Sequence, residues 1–354
     1  MDSAVLVINP GSTSTKIAVW GVSGPLLQQT IVHPSDELSR YPRVVDQFHL
    51  RKDAVEEAVG DWLTKNKLAA VVGRGGPLRP LEGGTYFINQ RMLEDLRSGK
   101  YSNHASNLGA ILSHYFAGRL DIPCFVVDPV TVDEFTDLAR VSGVPEIQRK
   151  CRSHALNIKA TAREAAAMIG KGIEDTRFVV AHMGGGLSIC ALQGGRICDV
   201  NDGLLGMGPF SPERAGALPI GALVKLCFSG KFDEGGLLQK LSTESGLKGY
   251  LGTSDLVEIE RRIEAGDSEA RLYYDAMIYQ IAKEIGAIAA VLKGDMDGII
   301  LTGGMAHSTR LTNGLKEYIG FLGRLFVIPG EKEMEALALG AFRVLQGKEE
   351  AKTY

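Results

Sequence analysis

Two stretches of this chain set a short apolar strand against a run of small residues, and a turn of that kind can grip phosphate. The first is VLVINPGSTSTKIAVWG, Val5 to Gly21, and the second is FVVAHMGGGLSICALQGG, Phe178 to Gly195. Each strand closes on a polar residue, Asn9 or His182, before a turn and a second, alternating strand. Such a turn leaves backbone N–H groups without a ladder partner, free to donate to phosphate oxygens, and small hydroxyls add donors without blocking approach. The first loop offers Gly11, Ser12, Thr13, Ser14 and Thr15 with Lys16 beside them; the second offers Gly184, Gly185 and Gly186. Taken alone, a loop of either kind is more often just a plain hairpin. A third segment, DGIILTGGMAHS from Asp297 to Ser308, runs a strand into Gly303 and Gly304, where the lack of side chains lets a flat ring lie against the backbone.

Cations and neutral donors accompany these loops. Arg74 in VVGRGGP and Arg214 in SPERAG sit beside glycines, and a guanidinium suits bidentate contact with carboxylate or phosphate. A surface ion pair is the plainer role for either. His154 in CRSHALN, His182 in AHMGGG and His104 in SNHASNLG are candidate donors, although an isolated histidine at a helix start is more often a cap or a buried structural donor. No HxxxH or HExxH spacing occurs, which argues against zinc. The acidic candidates are Asp128, after the strand Cys124–Val127, and Glu333 in GEKEMEALAL, with Glu331 and Glu335 close by. Glu333 also reads as a favourable acidic first turn of a helix. Better-known nucleotide signatures are missing: no GxxxxGK[ST] occurs, and no GxGxxG follows a strand and opens a helix.

The elements that must position these residues alternate between short β-branched runs and longer helical patterns, the signature of an α/β protein. Strands are expected at 5–8, 16–20, 70–72, 124–127, 178–181, 188–192, 298–302 and 325–328; helices at 54–65, 105–119, 155–168, 270–292 and 333–345. In the last helix Leu337, Leu339, Ala341, Val344 and Leu345 fall mostly on one side. A length of 354 residues is too great for one comfortable core, so two domains are expected. The two hairpin blocks lie about half the chain apart, as a duplicated domain would place them, and two such halves imply a cleft between them.

Composition excludes several classes. A net charge of -3 gives no footprint for nucleic acid or an anionic membrane, so any phosphate must be held by a few placed groups. The longest apolar run, Ile285 to Leu292, is far shorter than the ~20 residues of a membrane helix. The N-terminus has an acid where a signal peptide wants a base. Five cysteines (Cys124, Cys151, Cys190, Cys198, Cys227) form no CxxC pair and fit reduced thiols of a cytoplasmic protein.

From INPGSTSTK through NHASNLGA, VDPVTVDE, VSGVPEIQRK, AHMGGGLSI and GPFSPERAGALP to LTGGMAHS, the sequence resembles the acetate and butyrate kinase family, its butyrate members most closely. The resemblance implies two duplicated ribonuclease H-like domains of the actin-like ATPase superfamily. The first would run over 1–127 with a returning helix at 336–354, and the second over 128–335, with the adenosine at Gly303 and Gly304. It implies a reversible reaction of ATP with a short carboxylate, most closely butyrate, giving ADP and an acyl phosphate. The catalytic residues by resemblance are Arg74, Asp128, His154 and Arg214. Mg²⁺ would be served by Asn9 and Glu333, with Asp128 on the acidic side and a neighbouring glutamate as an alternative to Glu333. Actin-like ATPases and sugar kinases usually carry Asp where this chain has Asn9. A carboxylate is already ionised near neutral pH and needs no general base, so cations and neutral donors suit it better than catalytic acids. A homo-oligomer is a further expectation of the resemblance. Kinases of acetate, propionate or a branched acid remain open, as do a sugar kinase and an actin-like or chaperone-like ATPase without an acyl substrate.

Overall fold

The strand VLVINP, Val5–Pro10, is buried along its whole length, as a strand covered on both faces must be. It is β1 of a seven-stranded sheet. The computed structural model describes residues 4–354. In it the other strands are β2 Ser14–Gly21, β3 Gly24–Val32, β4 Ala70–Arg74, β5 Thr85–Phe87, β6 Cys124–Val127, β7 Arg177–Met183, β8 Leu187–Gln193, β9 Arg196–Val200, β10 Gly298–Gly303, β11 Leu325–Pro329 and β12 Lys352–Thr353. The first sheet has the order β12-β5-β6-β4-β1-β2-β3 and the second β11-β10-β7-β8-β9.

One plan underlies both sheets. In the first, β1, β2 and β3 form an antiparallel meander, and β4 and then β6 add in parallel on the other side of β1. In the second, β7, β8 and β9 form the meander, and β10 and then β11 add in parallel beside β7. The middle strand of each meander carries a register shift, at Val19/Trp20 and at Ala191/Leu192. Such a bulge raises local twist. The mixed α/β fold with two sheets expected from the sequence is therefore present, and β5 and β12 are additions to the first sheet alone.

The chain divides into two compact units, Met1–Val132 with Lys332–Tyr354, and Asp133–Glu331. Each has its own core: Leu6, Ile8, Val19, Val71, Leu108 and Val126 are among the first, and Val179, Ile189, Tyr274, Ile281, Ile299 and Leu301 among the second. The helix Ala155–Met168 packs on β7 and β10, and the last helix, Glu333–Leu345, on β1, β4 and β6. The covering face of that last helix differs from the sequence expectation. Met334, Leu337, Ala338, Ala341 and Phe342 are buried, whereas Leu339 and Leu345 are exposed. A sheet surface admits small residues, so alanines rather than every leucine make the contact. Another helix begins at Phe48 rather than Ala54. All five cysteines are free, and no helix among the described residues is long and apolar enough to cross a membrane.

Candidate functional site

In the first unit the ends of parallel strands bring three polar residues together. Ile8 pairs with Gly73 in the β1–β4 ladder, so Asn9 and Arg74 follow at the same edge of the sheet. Gly73 and Gly109 make this possible: a Cβ on Gly109 would fall 2.3 Å from the Arg74 carbonyl oxygen, so only glycine lets the helix Asn107–Leu120 lie this close to β4. Asn9 Nδ2 donates to Glu333 Oε2 at 2.8 Å, and Arg74 Nη2 lies 3.2 Å from Glu333 Oε1. Glu333 opens the last helix, where the helix dipole favours an acid. The Arg74 side chain is only 11% exposed, and its Nη1 is buried with no hydrogen bond among the described residues. A buried donor without an acceptor is costly, and an oxygen of a bound anion would relieve it.

The first hairpin turn rests on a residue that the motif does not contain. Gly11 N–H donates to the Ser14 carbonyl at 2.7 Å. Beneath the turn lies Arg51, fully buried, which donates to the carbonyls of Ser14 (2.9 Å) and Ser12 (3.2 Å) and to Thr15 Oγ1 (3.0 Å). Burial pushes its guanidinium down to about 10. Thr15 Oγ1 also meets His33 Nε2 at 2.8 Å, and burial, then the Arg51 charge, lowers the His33 pKa. Ser12, Thr13 and Lys16 stay exposed, with Lys16 paired to Asn9 across the β1–β2 ladder. The turn's carbonyls are thus engaged from below while its outer side chains face outward.

Two more residues of this unit were expected at the site. Asp128 is buried, with φ at 38°, an uncommon region for a residue with a side chain. Its Oδ1 accepts from Gly84 N–H at 2.7 Å, and its own N–H donates to the Gly84 carbonyl at 3.0 Å. Asp128 is thus tied to the loop before β5. His104 lies on the turn before the helix Asn107–Leu120, with Nδ1 2.7 Å from Ser106 Oγ. Partial burial of its ring and then the Arg74 charge lower its pKa, which puts the ring in the electrostatic reach of Arg74.

The second unit builds a parallel arrangement from other residues. His182, at the end of β7, stacks on His154 with ring centroids 4.0 Å apart. His154 caps the helix Ala155–Met168, and its Nδ1 lies 2.8 Å from Ser188 Oγ. Asn157, in the first turn of that helix, places Nδ2 2.9 Å from His182 Nδ1 and 3.1 Å from Thr302 Oγ1. The glycine turn is packed tightly: a Cβ on Gly186 would fall 1.9 Å from Arg214 Nη1 and 2.8 Å from the Gly203 carbonyl oxygen. Arg214 Nη1 donates to that same carbonyl, and Ser211 Oγ donates to the Gly185 carbonyl at 2.6 Å. Arg214 Nε is buried without a hydrogen bond among the described residues, and desolvation lowers the pKa of the group.

At the end of β10 the two glycines have different reasons. Gly303 has φ at 88°, and a Cβ there would lie 2.3 Å from the Met183 carbonyl oxygen, so close approach to β7 requires it. Gly303 and Gly330 also exchange backbone hydrogen bonds at 3.2 and 2.9 Å. Only at Gly304 is the space beyond a Cβ open.

Among the described residues no three His, Cys, Asp or Glu side chains cluster as a metal cage. Magnesium does not need one, because it keeps several waters and takes one or two carboxylates beside substrate phosphates. Glu333, with the Asn9 amide beside it, is a donor set of that kind. The structure therefore unites Asn9, Arg74 and Glu333 in one unit, and His154, His182, Gly184–Gly186 and Arg214 in the other. Sequence reading missed Arg51, His33, Asn157, Thr302 and Ser188. A buried arginine in FHLRKDAVEEAV carries no local signal that a loop lies above it.

Known proteins share this architecture. The family model described as the acetokinase family matches residues 146–324, just over half of the chain. An acetate kinase of Porphyromonas gingivalis superposes with a TM-score of 0.81 at 20% identity, over 97% of this chain and 100% of that one. A propionate kinase from Francisella tularensis gives 0.74 at 19% identity, over 96% and 98%. A ROK hexokinase from Thermus thermophilus gives 0.51 at 16% identity, over 97% and 99%. At these identities the likeness is one of fold alone.

Proposed function

The chain belongs to the acetokinase family, and from that premise we propose that it transfers the terminal phosphoryl group of ATP to a short-chain carboxylate, butyrate by preference. A carboxylate oxygen attacks the γ-phosphorus while the bond from that phosphorus to the β,γ-bridging oxygen breaks. The products are ADP and butanoyl phosphate, and no proton has to move. The observation that carries this reading is the trio at the strand ends of the first unit. Arg74, with a buried and unpaired Nη1, and the Asn9 amide surround Glu333, whose two oxygens are both engaged. Such a set leaves one buried cationic N–H for an anion oxygen and offers no idle base, which suits an acceptor already ionised near neutral pH.

In this reading Arg74 neutralises the incoming carboxylate or the phosphate it approaches, and the N–H groups of Gly11–Ser14 hold phosphate oxygens. In the second unit, Gly184–Gly186 hold nucleotide phosphate. Arg214, His182 and His154 stabilise charge on the transferred group, and the open side of Gly304 receives the adenine ring. Asp128 and Glu333 lie on the metal side, and magnesium, when bound, supplies neutralisation of the phosphate oxygens. Because one methylene in an apolar pocket is worth only about 1–3 kcal/mol, neighbouring acids are expected to react measurably.

Trapping the acyl phosphate as a hydroxamate, with acetate, propionate, butyrate and isobutyrate compared by kcat/KM, tests both levels. The expected order has butyrate first. Equal or better turnover of acetate overturns the butyrate preference, and the absence of any carboxylate-dependent ADP formation overturns the reaction.

A further inference from the structure

We infer that Asn157 is a positioning residue that holds His182 in a single tautomer, with the ring proton on Nε2 facing the Gly184–Gly186 turn. The inference rests on the phosphoryl-transfer reading of that turn. Asn157 is 2% exposed and sits in the first turn of the helix Ala155–Met168. Its Nδ2 has two hydrogens and lies 2.9 Å from His182 Nδ1 and 3.1 Å from Thr302 Oγ1. The Thr302 hydroxyl hydrogen is directed at the Gly330 carbonyl, a long 3.4 Å away, which leaves the Thr302 oxygen to accept from Asn157. The remaining Asn157 hydrogen then meets His182 Nδ1, so that nitrogen carries the lone pair. A neutral imidazole with its lone pair on Nδ1 carries its proton on Nε2.

Nε2 is the atom that faces the turn: a Cβ on Gly184 would stand 3.7 Å from it. With the opposite amide orientation, Asn157 Oδ1 would demand a donor from Nδ1, and Nε2 would become an acceptor repelled by phosphate oxygens. The His154 ring, stacked at 4.0 Å, limits how far the imidazole can swing to escape its tautomer. Asn157 thus sets the polarity of a group that touches the substrate and does not touch it itself. Its place is taken in other sites by partners that fix a histidine tautomer, and their loss is felt in turnover.

The test uses the full-length chain with 15N-labelled histidine rings, observed by NMR near pH 8, above the ordinary histidine range, with His182→Gln used only to assign the signals. The expected spectrum shows Nε2 protonated and Nδ1 bare. Asn157→Asp, whose carboxylate can only accept at Nδ1, should move the proton to Nδ1. It should also lower kcat roughly 100-fold, while KM for the carboxylate changes by less than about twofold. Thr302→Val, which removes the acceptor that orients the amide but keeps the shape, should give a mixture of tautomers with an intermediate kcat. It serves if Asn157→Asp does not fold. A wild-type ring with its proton on Nδ1 overturns the inference, and so does a folded Asn157→Asp with unchanged kcat. Should no carboxylate support turnover, the reaction reading fails on its own, and the ring spectra still decide the tautomer.

Discussion

The two hairpin turns occupy the same place in two sheets of one plan, yet they are held by opposite means. The turn after β1 carries side chains at Ser12 and Thr13, and Arg51 below gathers the carbonyls of Ser12 and Ser14 and the hydroxyl of Thr15. The turn after β7 is all glycine, and its shape comes from what presses on it: Arg214 and the Gly203 carbonyl leave no room for a Cβ at Gly186. The residue that precedes each turn follows the same logic. Asn9 is met by Glu333 and His182 by Asn157, each from the first turn of a helix. A shared backbone plan therefore carries two chemistries, an amide against a carboxylate and an imidazole against an amide. What repeats is the position of a polar contact, and what varies is its charge.

The largest effect is expected from Arg51→Met, which removes the buried side chain that gathers the Ser12 and Ser14 carbonyls and the Thr15 hydroxyl. A loss of about 3 kcal/mol is expected in urea unfolding, and a loss below about 1 kcal/mol would mean that the turn holds itself. Next comes Gly186→Ala, whose methyl must displace Arg214 or the Gly203 backbone. A fall of about 100-fold in kcat/KM for ATP is expected, since small displacements at such a site cost that much. The matched change Gly11→Ala meets only ordinary contact, with Ser14 Oγ 3.5 Å away, and should cost less than about threefold. Similar losses at both glycines would erase the distinction between the turns. Asn9→Asp replaces a donor to Glu333 by a like charge, and kcat should fall about tenfold through that repulsion. An unchanged kcat would show that the Asn9–Glu333 contact is incidental.

The smallest effect concerns pH. The His33 pKa is lowered in the fold by burial and by the Arg51 charge, so the unfolded chain binds the extra proton near its ordinary value of about 6.5. The first unit should therefore lose stability as pH falls below about 6.5, and His33→Gln should flatten that part of the curve. Thermal unfolding followed from pH 7.5 to 5 reads it, and an unchanged slope in the variant removes His33 from the cause.

Much of this was legible in the chain itself. All eight strands expected from apolar runs are present, because the first and second meanders and their parallel neighbours are buried enough to leave unbroken Val, Ile and Leu patterns. β3 carries no such signal because it is an edge strand, mostly exposed, with no apolar alternation along GPLLQQTIV. The helices between Ile220 and Glu264 were also missed; the first of them, Ile220–Cys227, buries no residue at all. Of the site, the strand-end residues and glycines could be named in advance, since strand, polar end and turn are contiguous in sequence. Gly303 also serves the packing of β10 on Met183, which the run of residues around it does not reveal, while the space beyond Gly304 is open.

The sequence by itself determined the two hairpins, the α/β alternation and the excess of cations and neutral donors over free acids around them. Those properties are local, fixed by neighbours a few residues apart. Only the tertiary structure decided that Arg51 supports the first turn, that Glu333 faces Asn9 and Arg74, and that Asn157 faces His182. Each of those contacts joins segments brought together by sheet order and helix packing. A buried polar group takes whichever partner the fold delivers, and no periodicity along the chain records that choice.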